Sequence, residues 1–233
     1  MPITKETLDF LLENRLHDSR AWFEAHRADY ERLVKRPMQD LCVALAPAAV
    51  AIDPLLITEP KIGKCISRIF RDTRFSRDKS IFRDHMWCVF AREKKEHGST
   101  MGLYFEISPA GFSYGCGYYQ TPPPVVRAIR ALILAGDRAF LDAQAAMRAA
   151  PQFALEGERY KRTRYPDQPE ALREWLDRRS LSFNCDSADY PLLFSDRITQ
   201  AVADGFAQLA PVYRFFRRAE DVARLEEASD PLR

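Results

Sequence analysis

No apolar run in this sequence is long enough to cross a bilayer. The longest, Val43 to Ile52, is broken by Pro47, whereas a spanning helix needs about 20 apolar residues. The start, Met1-Pro2-Ile3-Thr4-Lys5-Glu6, lacks the basic-then-apolar layout of a secretory leader. A soluble protein of cytoplasmic location, without membrane association, is therefore expected. The five cysteines, Cys42, Cys65, Cys88, Cys116 and Cys185, are odd in number and include no C-x-x-C pair, a pattern that suggests neither a disulfide framework nor a zinc ribbon. They are expected as reduced thiols in or near the core. A charge of one sign is also missing. Lys and Arg total 35 against 33 Asp and Glu, for a net +2, so nothing draws the whole chain towards nucleic acid or an anionic membrane, and any electrostatic function is local. There is no G-x-x-x-x-G-K-[ST] phosphate loop, no G-x-G-x-x-G, no H-E-x-x-H and no G-x-S-x-G.

What is present is the balance of an ordinary globular protein: 233 residues, 46% hydrophobic and 29% charged. Pro122-Pro123-Pro124 reads as a turn and not as a linker, so residues 1–233 are expected as one domain. The first fifty residues are helical in spacing. Thr4 is placed to cap a helix with Leu8, Leu11 and Leu12, Asp18 or Ser19 to cap a second through Val34, and Pro37 opens a third. Lys64 to Phe70, Met86 to Arg92, Met101 to Ser108 and Phe112 to Tyr119 read as strands, the last two joined by a tight hairpin at Pro109-Ala110-Gly111. Leu103, Phe105 and Ile107 alternate with Tyr104 and Glu106, predicting one buried face. Helical spacing returns after Pro124, at Phe140 to Met147, around Glu170 to Asp177, and in a long segment carrying Ile198, Val202, Phe206, Leu209, Val212 and Phe216, with a short strand at Leu181 to Cys185. The expected class is α+β: a central antiparallel β-meander sheet covered by helices, with a helical N-terminal segment and a long C-terminal helix.

Chemistry concentrates in Lys61 to Asp84, where eight basic residues (Lys61, Lys64, Arg68, Arg71, Arg74, Arg77, Lys79 and Arg83) face three acidic ones (Asp72, Asp78 and Asp84). Crowded guanidiniums repel unless something negative lies between them. That partner is either the chain's own Asp72 and Asp78, giving an ion-pair lattice that fixes a loop, or a bound phosphate or carboxylate gripped in the planar geometry arginine favours. Spacing does not decide between them.

The run Arg68-Ile69-Phe70-Arg71-Asp72-Thr73-Arg74-Phe75-Ser76-Arg77-Asp78-Lys79 resembles the R-x-x-R-D-x-R-F-x-x-D-K signature of the bacterial and fungal family labelled domain of unknown function 2461. The resemblance extends to Asn14 through Tyr30, with Trp22-Phe23 and His26-Arg27, to Gly102 through Ser108 with Gly111-Phe112, and to Tyr160-Lys161-Arg162, and so covers nearly the whole chain. It implies no reaction, substrate or cofactor. One departure has a consequence: members usually carry Pro-Tyr after the Lys-Ser, whereas Ile81-Phe82 stands here, so position 82 offers no phenol as an essential acid or nucleophile.

Other candidates are weaker. His85, just past the arginine run, suits an acid or base beside a bound anion, or an ordinary hydrogen-bonding role; the remaining histidines are His17, His26 and His97. Lys161-Arg162, with Arg159 and Arg164, form a second basic cluster, read as a solvated face in preference to one that closes over the first. Gly115 and Gly117 leave one strand face bare for a helix or a flat ligand, helix packing being favoured. Asp72, Asp78 and Glu106 could cluster around Mg²⁺, but the surrounding arginines compete with a cation, so no metal and no cofactor are expected. The leading functional expectation is a small-anion site, for a phosphate- or carboxylate-bearing ligand, lined by Arg68, Arg71, Arg74 and Lys79 with His85 and Glu106 nearby, turnover being left open. The alternative is a protein-interaction or structural module in which the motif is scaffolding and the protein partner is unspecified. Nucleic-acid binding is a third reading, opposed by the near-neutral total charge.

Overall fold

The structure is a computed structural model describing residues 3–74, 76–92 and 100–229. Phe75 of the arginine run and His97 lie outside the described residues. Helices α1 (Lys5–His17), α2 (Arg20–Ala25), the single turn α3 (Arg27–Asp29) and α4 (Arg36–Ile52) come first. Strands β1 (Met86–Ala91), β2 (Gly102–Ser108) and β3 (Gly111–Gly117) follow, then α5 (Pro123–Leu134), α6 (Arg138–Ala149), β4 (Ala154–Glu156), α7 (Glu170–Leu176), β5 (Ser182–Ser187), the short α8 (Tyr190–Leu193) and α9 (Arg197–Ser229). The five strands form one antiparallel sheet in the order β1-β2-β3-β5-β4, the α+β class expected. β4 pairs with β5 through Ala154–Asn184, Leu155–Phe183 and Glu156–Ser182. No described helix is long and apolar enough to cross a membrane. The chain divides into two compact units: Met1–Phe90 with Tyr104–Tyr114 and Asp186–Asp204, and Ala91–Leu103 with Gly115–Cys185 and Gly205–Arg233.

In the first unit, Thr4 caps α1 in a capping box with Thr7, and Ser19 caps α2 by accepting from the Trp22 amide. No break separates the second and third expected helices. Tyr30 to Lys35 form a π-helical stretch that runs directly into α4. Pro37 explains this. It brings no N–H to the Leu33 carbonyl one turn earlier, and the ladder widens so that the Arg36 amide reaches the Glu31 carbonyl, five residues back. The Leu33 carbonyl instead accepts from the Thr7 hydroxyl of α1 at 2.7 Å. The aromatic core of this unit gathers Phe23 with Tyr30, Phe70 and Phe82, at ring separations of 5.2, 5.5 and 5.1 Å. Leu103, Phe105 and Ile107 are buried, while Tyr104 and Glu106 are only half-buried, as the alternation predicts.

The strand expected at Lys64 to Phe70 is not formed. Residues 65–71 run antiparallel to 81–89, through isolated bridges Ile66–Cys88 and Phe70–Phe82 and backbone bonds such as Ser67 N–H to Trp87 O at 2.9 Å and Arg71 N–H to Ile81 O at 2.8 Å, but the register shifts by two residues between the bridges, so no continuous ladder develops. The segment instead enters through a turn at Gly63 (φ 82°), whose amide donates to the Ile66 carbonyl at 2.7 Å.

In the second unit, buried rings run from Phe183 of β5 to Trp175 of α7, Phe140 of α6, and Phe215 and Phe216 of α9, with Tyr118 against Phe216 at 5.6 Å. The Tyr118 hydroxyl donates to Glu220 at 2.8 Å, and burial, followed by that carboxylate, raises its pKa well above the ordinary phenol value. The bare strand position at Gly117 serves neither a helix nor a ligand. A Cβ there would lie 2.5 Å from the Ser182 Cα, and φ is +150°, so glycine is required by the close approach of the backbone leading into β5.

Thr7→Val keeps the shape of the buried side chain but leaves the Leu33 carbonyl and the Thr4 amide without their partner. The expected loss is ~1–3 kcal/mol, read as a lower urea midpoint at unchanged slope.

Candidate functional site

The arginine run lies in the first unit and is held down by the end of α1. Asp18, in the left-handed conformation at the α1 C-cap (φ 44°), accepts from the amides of Ile81 at 2.7 Å and Phe82 at 3.1 Å. Arg15 of α1 reaches Asp78 at 2.9 Å. Arg71 ion-pairs with the same Asp78, and its guanidinium also donates to the hydroxyls of Ser76 and Ser80 at 3.4 Å. Arg74 grips Asp72 with two prongs, Nε to Oδ1 at 3.0 Å and Nη2 to Oδ2 at 2.7 Å. Lys79 donates to the Thr73 carbonyl at 2.8 Å. Hydrogen bonds from the Ser80 hydroxyl and amide, then from Arg71, hold the Asp78 carboxyl far below the usual carboxylate range, and Arg74 holds Asp72 at about 2.

Arg68 is different. It has no hydrogen bond or ion pair among the described residues, and its side chain passes over the Gly63 turn, where a Cβ would lie 3.6 Å from its Nε and Nη2. It lines a groove of about 300 Å³ with Phe23, Tyr30, Ile62, Ile69 and Phe70.

His85 and Glu106 meet in a separate group of charges. His85 Nδ1 lies 2.7 Å from Asp84, its ring stacks on Trp87 at 5.5 Å, and the Arg83 guanidinium covers Trp87 at 4.7 Å. Burial raises the Glu106 carboxyl; the charges of His85 and Arg83 pull it back, and those of Asp186 and Asp84 add to the rise. No set of three or more His, Cys, Asp or Glu able to hold a metal exists among the described residues.

A cavity with a marked charge imbalance lies in the second unit. A cleft of about 480 Å³ is lined by Arg127, Arg130, Arg164 and Arg179, with Tyr160 between them and Glu158 as the only acidic group. α5 supplies Arg127 and Arg130 at a spacing of three, which puts both on one helical face. Arg130 is fixed by the carbonyls of Leu176 at 3.0 Å and Arg178 at 2.9 Å. The buried Asp177 accepts from the Arg164 amide at 3.0 Å, and its own carbonyl accepts from the Tyr160 amide at 2.9 Å. Gly157 (φ +119°) lets the chain pass so close to Ser180 that a Cβ would lie 1.9 Å from its carbonyl oxygen. That approach brings Arg179 to Glu158, at 2.6 Å between side chains.

Three guanidinium carbons sit over the Tyr160 ring, those of Arg164 at 3.8 Å, Arg130 at 5.1 Å and Arg179 at 5.8 Å. Hydrogen bonding from Arg130, then the charges of Arg130, Arg164 and Arg179, lower the Tyr160 phenol from its ordinary value. The guanidiniums of Arg127 and Arg164 have no carboxylate partner among the described residues. Of the second basic cluster, Lys161 and Arg162 are exposed, Arg159 pairs with Glu174 at 3.2 Å, and Arg164 alone lines the cleft. Arg127, Arg130 and Arg179 were missed from sequence. Their signal was the i, i+3 arginine pair within a helix and the Arg178-Arg179 doublet before a strand.

An α+β chain with a single antiparallel sheet and these arginine clusters is the class the geometry defines. The family model described as "Conserved hypothetical protein (DUF2461)" matches residues 6–215, and the chain belongs to that family. No curated protein and no solved structure matches it.

Asp78→Asn removes the carboxylate shared by Arg15 and Arg71. Because the folded pKa of Asp78 lies below its unfolded value of ~3.9, its stabilisation is complete above about pH 4 and is lost as pH falls through the depressed folded value. The difference in thermal midpoint between wild type and Asp78→Asn is therefore expected at pH 7 and should shrink progressively as pH falls below about 4. Separately, Tyr160 ionises below the ordinary phenol value of ~10. An ultraviolet difference titration of wild type against Tyr160→Phe should isolate one phenol ionising early, ahead of Tyr30, which burial pushes up to about 12.

Proposed function

We propose that this protein binds a small phosphate- or carboxylate-bearing ligand in the cleft formed by Arg127, Arg130, Arg164 and Arg179. The observation that carries the reading is the imbalance of four guanidiniums against one carboxylate around a single cavity. Such an excess is unfavourable in the empty site and is relieved by an anion, which arginine binds through paired planar hydrogen bonds. Neutralising Glu158 against Arg179 leaves three positive charges, which suits a compact multivalent anion better than a single carboxylate. The ring of Tyr160 is already covered by cations, so the ligand is held by charge and not by stacking. For the motif loop itself, the pairing of Arg71 with Asp78 and of Arg74 with Asp72 supports the scaffold reading: those two arginines fix an irregular loop on α1.

The test is thermal denaturation at low ionic strength with phosphate, pyrophosphate and citrate, on wild type, Arg127→Gln and Arg164→Gln. A ligand at 100 times its Kd adds about 2.7 kcal/mol, which for a chain of this size is a rise of roughly 5–10 °C. Pyrophosphate is expected to give that rise in wild type, to give far less in Arg164→Gln, and to push the Tyr160 titration back up by neutralising the arginines around it. No rise with any of the three anions, or an equal rise in both variants, would overturn the reading.

A further inference from the structure

The groove at Arg68 has a different character from the four-arginine cleft. Its lining is mainly apolar: Phe23, Tyr30, Ile62, Ile69 and Phe70 form the walls, and Phe70 is 38% exposed although its ring packs on Phe23 and Phe82. Four charged residues complete the lining, namely Arg27, Glu31, Lys35 and Arg68. Three of these are already matched. Lys35 pairs with Glu31 at 2.7 Å, and Arg27 with Glu24 at 3.1 Å. One positive charge is left over, that of Arg68, which has no partner among the described residues and lies against the Gly63 turn.

A binding groove lined mostly by apolar and aromatic side chains, with a few polar groups fixing orientation, is the general form of a small-molecule site, and about 300 Å³ is the lower end of the usual range. A single guanidinium matches a single carboxylate in charge and in planar two-pronged geometry. A phosphate monoester, carrying close to two charges at neutral pH, would leave charge unmatched beside Glu31. From the apolar walls and the one unmatched cation, we propose that this groove binds a small monocarboxylate with an apolar body, aryl or short alkyl, its carboxylate on Arg68 and its body against Phe70, Phe23 and Ile62. This site is independent of the multivalent-anion reading of the cleft.

Isothermal titration calorimetry of the full chain with phenylacetate, hexanoate and the uncharged isostere phenylacetamide tests it, using wild type, Arg68→Gln and Phe70→Ala. Arg68→Gln changes an exposed residue that makes no ion pair, so its thermal midpoint without ligand should equal that of wild type. Saturable binding of phenylacetate or hexanoate to wild type is expected, weakened roughly tenfold or more in Arg68→Gln, with phenylacetamide binding comparably weakly to both. Phe70→Ala should weaken the carboxylates and leave pyrophosphate untouched. Arg164→Gln should leave phenylacetate binding unchanged and Arg68→Gln should leave pyrophosphate binding unchanged, so each site can fail alone. Absence of carboxylate binding to wild type, equal affinity in Arg68→Gln, or loss of phenylacetate binding in Arg164→Gln would overturn the proposal.

Discussion

Arginine does not shed its charge in a protein, and each guanidinium brought near others must be matched by a carboxylate, spread over backbone carbonyls, or left facing solvent or a ligand. The local structure of this chain is organised around that constraint. In the motif loop the match is made with carboxylates: Asp78 stands between Arg15 and Arg71, and Asp72 takes the fork of Arg74. These pairs are partly exposed, so each contributes little by itself. Their effect is geometric, because the loop has few regular backbone bonds and Asp18 adds two more anchors at the amides of Ile81 and Phe82. In the cleft around Tyr160 the match is made otherwise. Arg130 spends its donors on the carbonyls of Leu176 and Arg178, which positions the side chain without cancelling its charge.

Backbone exceptions put these side chains where they are. Pro37 denies an amide to Leu33, and the resulting π-helical stretch both joins α4 to the segment before it and offers a carbonyl to Thr7 on α1. Tyr30 and Lys35, at the two ends of that stretch, line the Arg68 groove. Gly157 and the buried Asp177 do the corresponding work around the cleft: one allows close approach to Ser180, and the other fixes the segment that carries Tyr160 and Arg164.

Much of the fold was legible because periodicity reports burial directly. The apolar positions read on the C-terminal segment, from Ile198 to Phe216, are all buried on α9, and the alternation along β2 separates Leu103, Phe105 and Ile107 from Tyr104 and Glu106. Lys64 to Phe70 misled because its composition suits a strand, whereas pairing depends on partners that composition does not name. The family was legible from a run of charged residues, and so was the suspicion that Asp72 and Asp78 pair within it. The arginine cleft was not, because its members come from positions 127, 130, 164 and 179, and only folding brings α5, the loop between β4 and α7, and the turn between α7 and β5 together around it. Lys161 and Arg162 drew attention by adjacency in sequence, yet both face solvent, while Arg164 turns onto Tyr160.

How an arginine is held decides what it can bind. For Arg71 or Arg74 to take a ligand, an existing pair with Asp78 or Asp72 must be broken, and the incoming anion would be repelled by the carboxylate left behind. Arg164, stacked on Tyr160, and Arg68, lying against the Gly63 turn, are restrained by packing and not by opposite charge. Their charge is not offset by an ion pair among the described residues. Within the motif, Arg71 and Arg74 are thus held by carboxylates, whereas Arg68 of the same run, like Arg164 in the cleft, keeps a charge with no ion pair among the described residues.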